Sequence, residues 1–296
     1  MLGAIESARI RIGNSNDHEL IANFALTLSE DPESSKDKWL KVISQDNVYP
    51  LIAEINGVVI GKIQARIIDN IGWLEKAKVT PSYRKMGIAQ RLIDAALEWI
   101  INQNIKTIRT EVDSDNLSAR LILEKYNFSA NFLAINPSVH VLPSDATPEN
   151  LASFTDVVDP DLFSVVDKMI RRHFLGNIMI DGRYLPFDKN IFSNLIEERR
   201  ICLNRTKTGI IIKSTHNLPE EYHAFCLAES EKDYQEIGKA VRAFAAQELA
   251  GFSICHAPSK RLSVQGLIAA GYGWNQPHTL IIYQKNGQTN GHSKNH

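Results

Sequence analysis

The sequence predicts a mixed α/β (α+β) protein in which a mostly antiparallel central sheet is flanked by helices, and it predicts that arrangement twice. Three observations carry this reading. Tyr49–Ile55 and Val58–Ile67 are β-rich runs joined by Asn56-Gly57, a dipeptide that supplies both positive-φ positions of a tight hairpin turn. An apolar strand ending at Val79 runs through a short basic loop into an amphipathic helix, and Thr107–Val112 forms a strand after that helix. The order strand, strand, long helix, strand, short helix, strand then recurs between Gly209 and Gln284.

The elements of the first half follow in order. Ala8–Ile12 alternates apolar and basic residues as a short strand does, and Asn14 to Asp17 provide turn and cap chemistry before a helix carrying Leu20, Ile21, Phe24 and Leu28. A second short helix holds Trp39, Leu40 and Ile43. The hairpin comes next, and Asp69-Asn70 turns the chain into Gly72–Val79, the third strand of an antiparallel meander. Because a helix intervenes, Thr107–Val112 is expected to lie parallel to the strand before the loop.

Length and composition bound the function. A chain of 296 residues suffices for two ordinary domains. A formal net charge of -1 gives no chain-wide pull towards nucleic acid or a membrane surface, so any steering comes from local patches. Cys202, Cys226 and Cys255 are widely spaced, odd in number and set in apolar surroundings, which favours reduced thiols over disulfides or a metal site. No signal-peptide pattern opens the sequence, and no apolar run approaches the length of a bilayer span. A cytoplasmic monomer or homodimer without nucleic-acid or membrane partners is expected.

The stretch Val79 to Ile93 reads as a phosphate cradle. Ile88, Leu92, Ala95, Ala96 and Trp99 form the apolar stripe of a one-faced helix, so the first turn falls near Lys85 to Ala89. Backbone N–H groups at a helix start lack intrahelical partners and carry the positive end of the macrodipole. Gly87 lets the backbone approach a ligand closely, and Arg84, Lys85 and Arg91 add positive charge.

Arg84-x-x-Gly87-x-Ala89 resembles the acyl-CoA pyrophosphate loop of the GNAT superfamily of N-acetyltransferases. A second segment strengthens the resemblance: Asn116, Ala119, Glu124, Lys125 and Phe128 fit the family pattern Asn-x-x-Ala-x-x-Leu-Tyr-Glu-Lys-x-Gly-Phe. With the meander, loop and second helix in the family's order, the resemblance covers residues 8 to 142. Two positions depart from it. The family's frequent Tyr, which can protonate the departing CoA thiolate, falls on Leu123, and its Gly falls on Asn127. Asn tolerates the left-handed backbone that Gly favours, whereas Leu donates no proton. The general acid is then Tyr126 or solvent.

The resemblance implies acetyl-CoA as cosubstrate, bound by backbone groups of Ala77 and Val79 and by Arg84, Lys85, Met86, Gly87, Ile88, Ala89 and Asn116. It implies that two parallel strands splay apart around the acyl-pantetheine arm. A backbone N–H near Val79 would polarise the thioester carbonyl. Glu75 is the candidate proton acceptor for the attacking amine, directly or through water. Its competing reading is a solvated strand carboxylate paired with Lys76 or Lys78. Asp113 and Asp115 are alternatives that are also placed to cap the next helix, and Asn116 is a cap, a CoA contact, or both.

Residues 136 to 148 are rich in Pro, Ser, Asp and Thr and mark a boundary. The division expected is 1–142 as the CoA-binding module, 143–160 as linker, 161–285 as a degenerate second GNAT-like module, and 286–296 as a disordered tail. Helices are expected over Asp161–Phe174, Asp188–Arg199, Lys232–Leu249 and Arg261–Ala270, and strands over Gly209–Lys213, Tyr222–Ala228, Gly251–His256 and Thr279–Gln284. Gln235-x-x-Gly238-x-Ala240 spells a variant of the loop motif, but it lies among Glu231, Asp233 and Glu236, and its helical periodicity starts before Gln235. CoA binding is therefore expected once, in the first half. His216, His223 and His256 lack ligand spacing and are read as core or surface residues, with no metal. The function expected is transfer of an acyl group from acetyl-CoA to a primary amine, on a small-molecule acceptor. The rival is an acyl-CoA-binding or regulatory protein without turnover.

Overall fold

A computed structural model of the chain describes residues 8–215, 220–273 and 279–286. By contact the chain forms two compact units. The first comprises the chain up to Val112, Ser118–Ser129 and the chain from Tyr283 onward; the second comprises Asp113–Leu117 and Ala130–Ile282.

The first unit runs β1 (Arg9–Ile12), α1 (His18–Leu26), α2 (Pro32–Ile43), β2 (Val48–Ile55), β3 (Val58–Ile68), β4 (Ile71–Val79), α3 (Ile88–Asn102), β5 (Thr107–Asp113) and α4 (Leu117–Lys125). Its sheet has the order β1-β2-β3-β4-β5, antiparallel except for the parallel β4–β5 pair. Both hairpin turns place two residues at positive φ, Asn56 and Gly57 in one and Asp69 and Asn70 in the other, which matches the right-handed strand twist. The Asp31 side chain accepts from Ser34 N and Pro32 opens α2, so the helix starts earlier than its apolar residues alone indicate.

Trp39 of α2 packs with Ile21, Phe24, Ile52 and Val59 on one face of the sheet and donates from Nε1 to Asn14 O at 3.0 Å. On the other face, α3 buries Ile88, Leu92, Ile93, Ala96, Leu97 and Ile100. Gly72 makes that close approach possible, since a Cβ there would lie 2.5 Å from Ile100 Cγ2. Tyr283–Asn286, the end of the last strand, also belongs to this unit: Arg109 Nε donates to Gln284 Oε1 at 3.0 Å.

The second unit carries β6 (Ser129–Ile135), β7 (Ser138–His140), α5 (Pro148–Ala152), β8 (Phe154–Asp156), α6 (Phe163–Phe174), β9 (Asn177–Ile180), β10 (Arg183–Pro186), α7 (Lys189–Glu197), β11 (Ile201–Asn204), β12 (Gly209–Lys213), β13 (Glu221–Ala228), α8 (Glu231–Gln247), β14 (Phe252–Pro258), α9 (Arg261–Ala269) and, as far as Ile282, β15 (Thr279–Asn286). Its sheet order is β8-β11-β12-β13-β14-β6, with β7 also on β14 and β9–β10 a separate hairpin. As in the first unit, an antiparallel meander leads through a helix to one parallel pair, here β13–β14. Residues 143–160 hold α5 and β8, and β8 pairs with β11. All three cysteines are buried in this unit as free thiols, and burial pushes Cys202 up to about 12. Residues 287–296 of the expected tail, and His216, lie outside the described residues.

Candidate functional site

The pairing of β4 with β5 is short. It runs from Ile71–Thr107 to Leu74–Thr110, while β4 continues to Val79 and β5 to Asp113. β5 therefore offers no ladder partner to Glu75–Val79. The other edge of β4 is bulged over the same stretch: Gln64 lies opposite Glu75 and Lys62 opposite Lys78, so three steps on β4 match two on β3. Lys76 takes up the extra residue at φ 54. A bulge bends its strand and re-aims side chains, and this one begins where the ladder to the parallel neighbour ends, at Leu74.

The loop that follows is built as an anion cradle. Pro81–Tyr83 form a 3-10 turn, Arg84 N donates to Pro81 O, and Arg84 Nε returns to Val79 O at 3.1 Å. Lys85 and Gly87 both have positive φ, 61 and 79, so the backbone on either side of Met86 is curled. A Cβ at Gly87 would meet only Gln90 Oε1, at 3.6 Å, so glycine is required there for its backbone and for open access. α3 begins at Ile88, whose side chain is buried, and Arg91 N donates to Gly87 O. Among the described residues nothing accepts from the N–H groups of Met86, Gly87, Ile88 or Ala89. With exposed Arg84 and Lys85 beside them, these groups fit a diphosphate.

Glu75 sits where the bulge begins. Its carboxylate pairs with Arg66 Nε at 3.3 Å, not with Lys76 or Lys78. Lys78 pairs instead with Glu30, in the link after α1. Arg66 also donates to Gln45 Oε1 at 2.5 Å and to Asn47 Oδ1 at 3.3 Å, so the β3 side chain is held from three directions.

Tyr126 has a different setting. Its hydroxyl donates to Asp94 Oδ1 at 2.7 Å and also lies 3.1 Å from Gln90 O, both on α3. Burial and the Asp94 carboxylate hold the phenol above its ordinary value. Leu123 is buried, and Asn127 has φ 60, the left-handed conformation that its family position asks for. Asn116 directly precedes α4 and its N–H donates to Asp113 O; it belongs to the second unit.

Sequence reasoning passed over Lys62, Gln64, Arg66 and Trp73, which share one sheet face beside the bulge. The signal was present as alternation of polar Lys62, Gln64 and Arg66 with Ile63 and Ala65. In the second unit, α8 is capped by Ser230, whose side chain accepts from Asp233 N, so Gln235 to Ala240 lie inside the helix. Gly238 there is a packing residue, since a Cβ would fall 2.5 Å from Ala270 Cβ. Two histidines that the sequence left scattered are brought together: His223 Nδ1 lies 3.0 Å from His256 Nε2, and His223 Nε2 lies 3.1 Å from Glu221 Oε2. Among the described residues no group of three His, Cys, Asp or Glu side chains is arranged to hold a metal ion.

The family model described as "Acetyltransferase (GNAT) family" matches residues 17–128. Over those residues the chain is similar to that family. The GNAT fold is also the one found among solved structures. A GCN5-related N-acetyltransferase from Sphaerobacter thermophilus is similar over 95% of this chain and 96% of its own, with a TM-score of 0.62 and 12% identity. A tandem GNAT protein from the clavulanic acid biosynthesis pathway is similar over 95% of this chain and 99% of its own, with a TM-score of 0.57 and 12% identity. No curated protein matches the sequence. Among the described residues, no helix is long and apolar enough to cross a membrane.

Proposed function

We propose that the chain is an acetyl-CoA-dependent N-acetyltransferase acting on a small-molecule primary amine, with acetyl-CoA bound once, by the first unit. The observation that carries this is the continuity of the β4–β5 gap with the curled, glycine-opened start of α3. In this reading the N–H groups from Lys85 to Ala89, with Arg84, hold the diphosphate. Ala77 and Val79 offer backbone groups to the acyl-pantetheine arm, and an N–H near Val79 draws electron density from the thioester carbonyl.

The acceptor must attack as the neutral amine. Glu75 takes its proton, directly or through a water molecule, as the new C–N bond forms and the C–S bond breaks. The thiolate left behind needs a proton in return. Tyr126 is the side-chain candidate, but its engagement with Asp94 favours solvent as the donor.

A second reading, binding of acyl-CoA without turnover, is favoured by buried Leu123 at the family's Tyr position. Thiol release from acetyl-CoA over a panel of amines separates the two. Release that depends on the amine supports the transferase; tight acetyl-CoA binding with no release above hydrolysis supports the binding protein.

A further inference from the structure

The acceptor side of the gap can be read from the sheet. α3 closes one face, where a Cβ on Gly61 would lie 3.2 Å from Leu92 Cδ1. Side chains alternate along a strand, and directly opposed residues share a face. Lys62, Gln64 and Arg66 of β3 therefore point to the other face, together with their partners Lys78, Glu75 and Trp73 on β4.

This row is polar although it is buried: Gln64 is 6% exposed, Arg66 7% and Trp73 2%. Part of it is internally satisfied, through Arg66 with Glu75 and Lys78 with Glu30. Three members are not. Trp73 Nε1 is buried without an acceptor among the described residues. The Gln64 amide makes no hydrogen bond to any described residue. Lys62 forms no ion pair among the described residues, and its ammonium stands 6.0 Å from the Trp39 ring. Burial, with Lys78 next to it, draws that ammonium down to about 8. A buried donor left unmet, as Trp73 Nε1 is, is unfavourable, and it lies with Gln64 and Lys62 beside the point where β4 leaves β5.

We propose that Lys62, Gln64 and Trp73 form the floor that receives an anionic oxygen group, carboxylate or phosphate, on the acceptor. The substrate is thus an amine that also bears an acid. Cations prevail locally, with Lys62, Arg66, Lys76 and Lys78 against Glu30 and Glu75, so an incoming anion meets a favourable field. Lys62 and Gln64 stand roughly 7 Å apart along β3 and flank the bulge, so an acid bound there leaves a neighbouring amine beside Glu75. The inference rests on the transferase reading given above and names the acceptor class of that same site.

Matched pairs of amines test it: glycine with glycinamide, L-glutamate with L-glutamine, and phosphoethanolamine with ethanolamine, assayed by thiol release from acetyl-CoA. The anionic member of at least one pair is expected to exceed its neutral partner about tenfold or more in kcat/KM, and the pairs distinguish carboxylate from phosphate. Lys62→Met should act through KM of the anionic amine and bring that pair within about twofold, while Lys62→Arg retains the preference. Equal turnover of all pairs, or an equal loss on both members in Lys62→Met, overturns the inference and leaves the transferase standing. Acetyl-CoA binding with no thiol release from any amine overturns both.

Discussion

At Glu75 the proposed chemistry turns on one carboxylate, held by Arg66 at the start of the bulge. Glu75→Gln keeps the shape and removes the proton acceptor, so kcat should fall by about 10²–10³ with little change in the KM for acetyl-CoA, as steady-state thiol release would record. Tyr126→Phe makes the opposite statement. Because the phenol is engaged with Asp94, kcat should stay within about twofold, and the loss of that bond should cost on the order of 1 kcal/mol in a denaturant titration. A large loss of kcat would restore Tyr126 as the acid. His256 carries a prediction about pH. Burial, with His223 beside it, lowers it from 6.5 to about 3, so the folded chain keeps it neutral while the unfolded chain protonates below 6.5. Its contribution is complete above 6.5 and is lost as pH falls towards 3, by up to a few kcal/mol at about 1.4 kcal/mol per unit. Unfolding measured against pH should show a shallower acid slope for His256→Gln than for the wild type. At this scale the sequence was most legible where backbone geometry selects the residue, as at Gly87 and Asn127. It was least legible for Glu75, whose partner comes from β3 and not from its own strand.

At the scale of elements, the two positive-φ turns and the helix α3 were readable because local sequence determines them. The stripe that α3 buries includes Ile93, Leu97 and Ile100, rotated from the one traced through Ala95 and Trp99; Trp99 instead stacks on Tyr49 with ring centroids 4.8 Å apart. The close fit of α3 on the sheet depends on Gly72. Gly72→Val would force a branched side chain onto Ile100, at a cost on the order of 1–3 kcal/mol in denaturant midpoint, with weaker acetyl-CoA binding as the start of α3 shifts. An unchanged midpoint would show that the helix moves freely. The strands β8 to β11 escaped sequence reading because they are three or four residues long, too short for a period to register. The bulge at Lys76 was hidden for another reason. Nothing in Glu-Lys-Ala-Lys marks a positive φ, and the irregularity arises from the register with β3.

At the scale of the whole chain, the repeated plan of meander, helix and parallel pair was visible in the order of elements and is present in both units. Which unit a strand joins was not visible, because pairing over long sequence separations decides it. Ile135 of β6 pairs with Ala257 of β14, and Tyr283–Asn286 belongs to the first unit. The units differ where the proposed chemistry lies. In the first, α3 starts at a glycine with positive φ just after exposed Arg84 and Lys85. In the second, Ser230 caps α8 and acidic Glu231 and Asp233 fill its first turn, so the Gln235 motif offers no open amides. Calorimetric titration of the full chain with acetyl-CoA tests this contrast most directly. One equivalent should bind per chain, Gly87→Glu should abolish the heat while the protein stays folded, and Gln235→Glu should titrate as the wild type does. Binding that survives Gly87→Glu, or that is lost in Gln235→Glu, would contradict the account.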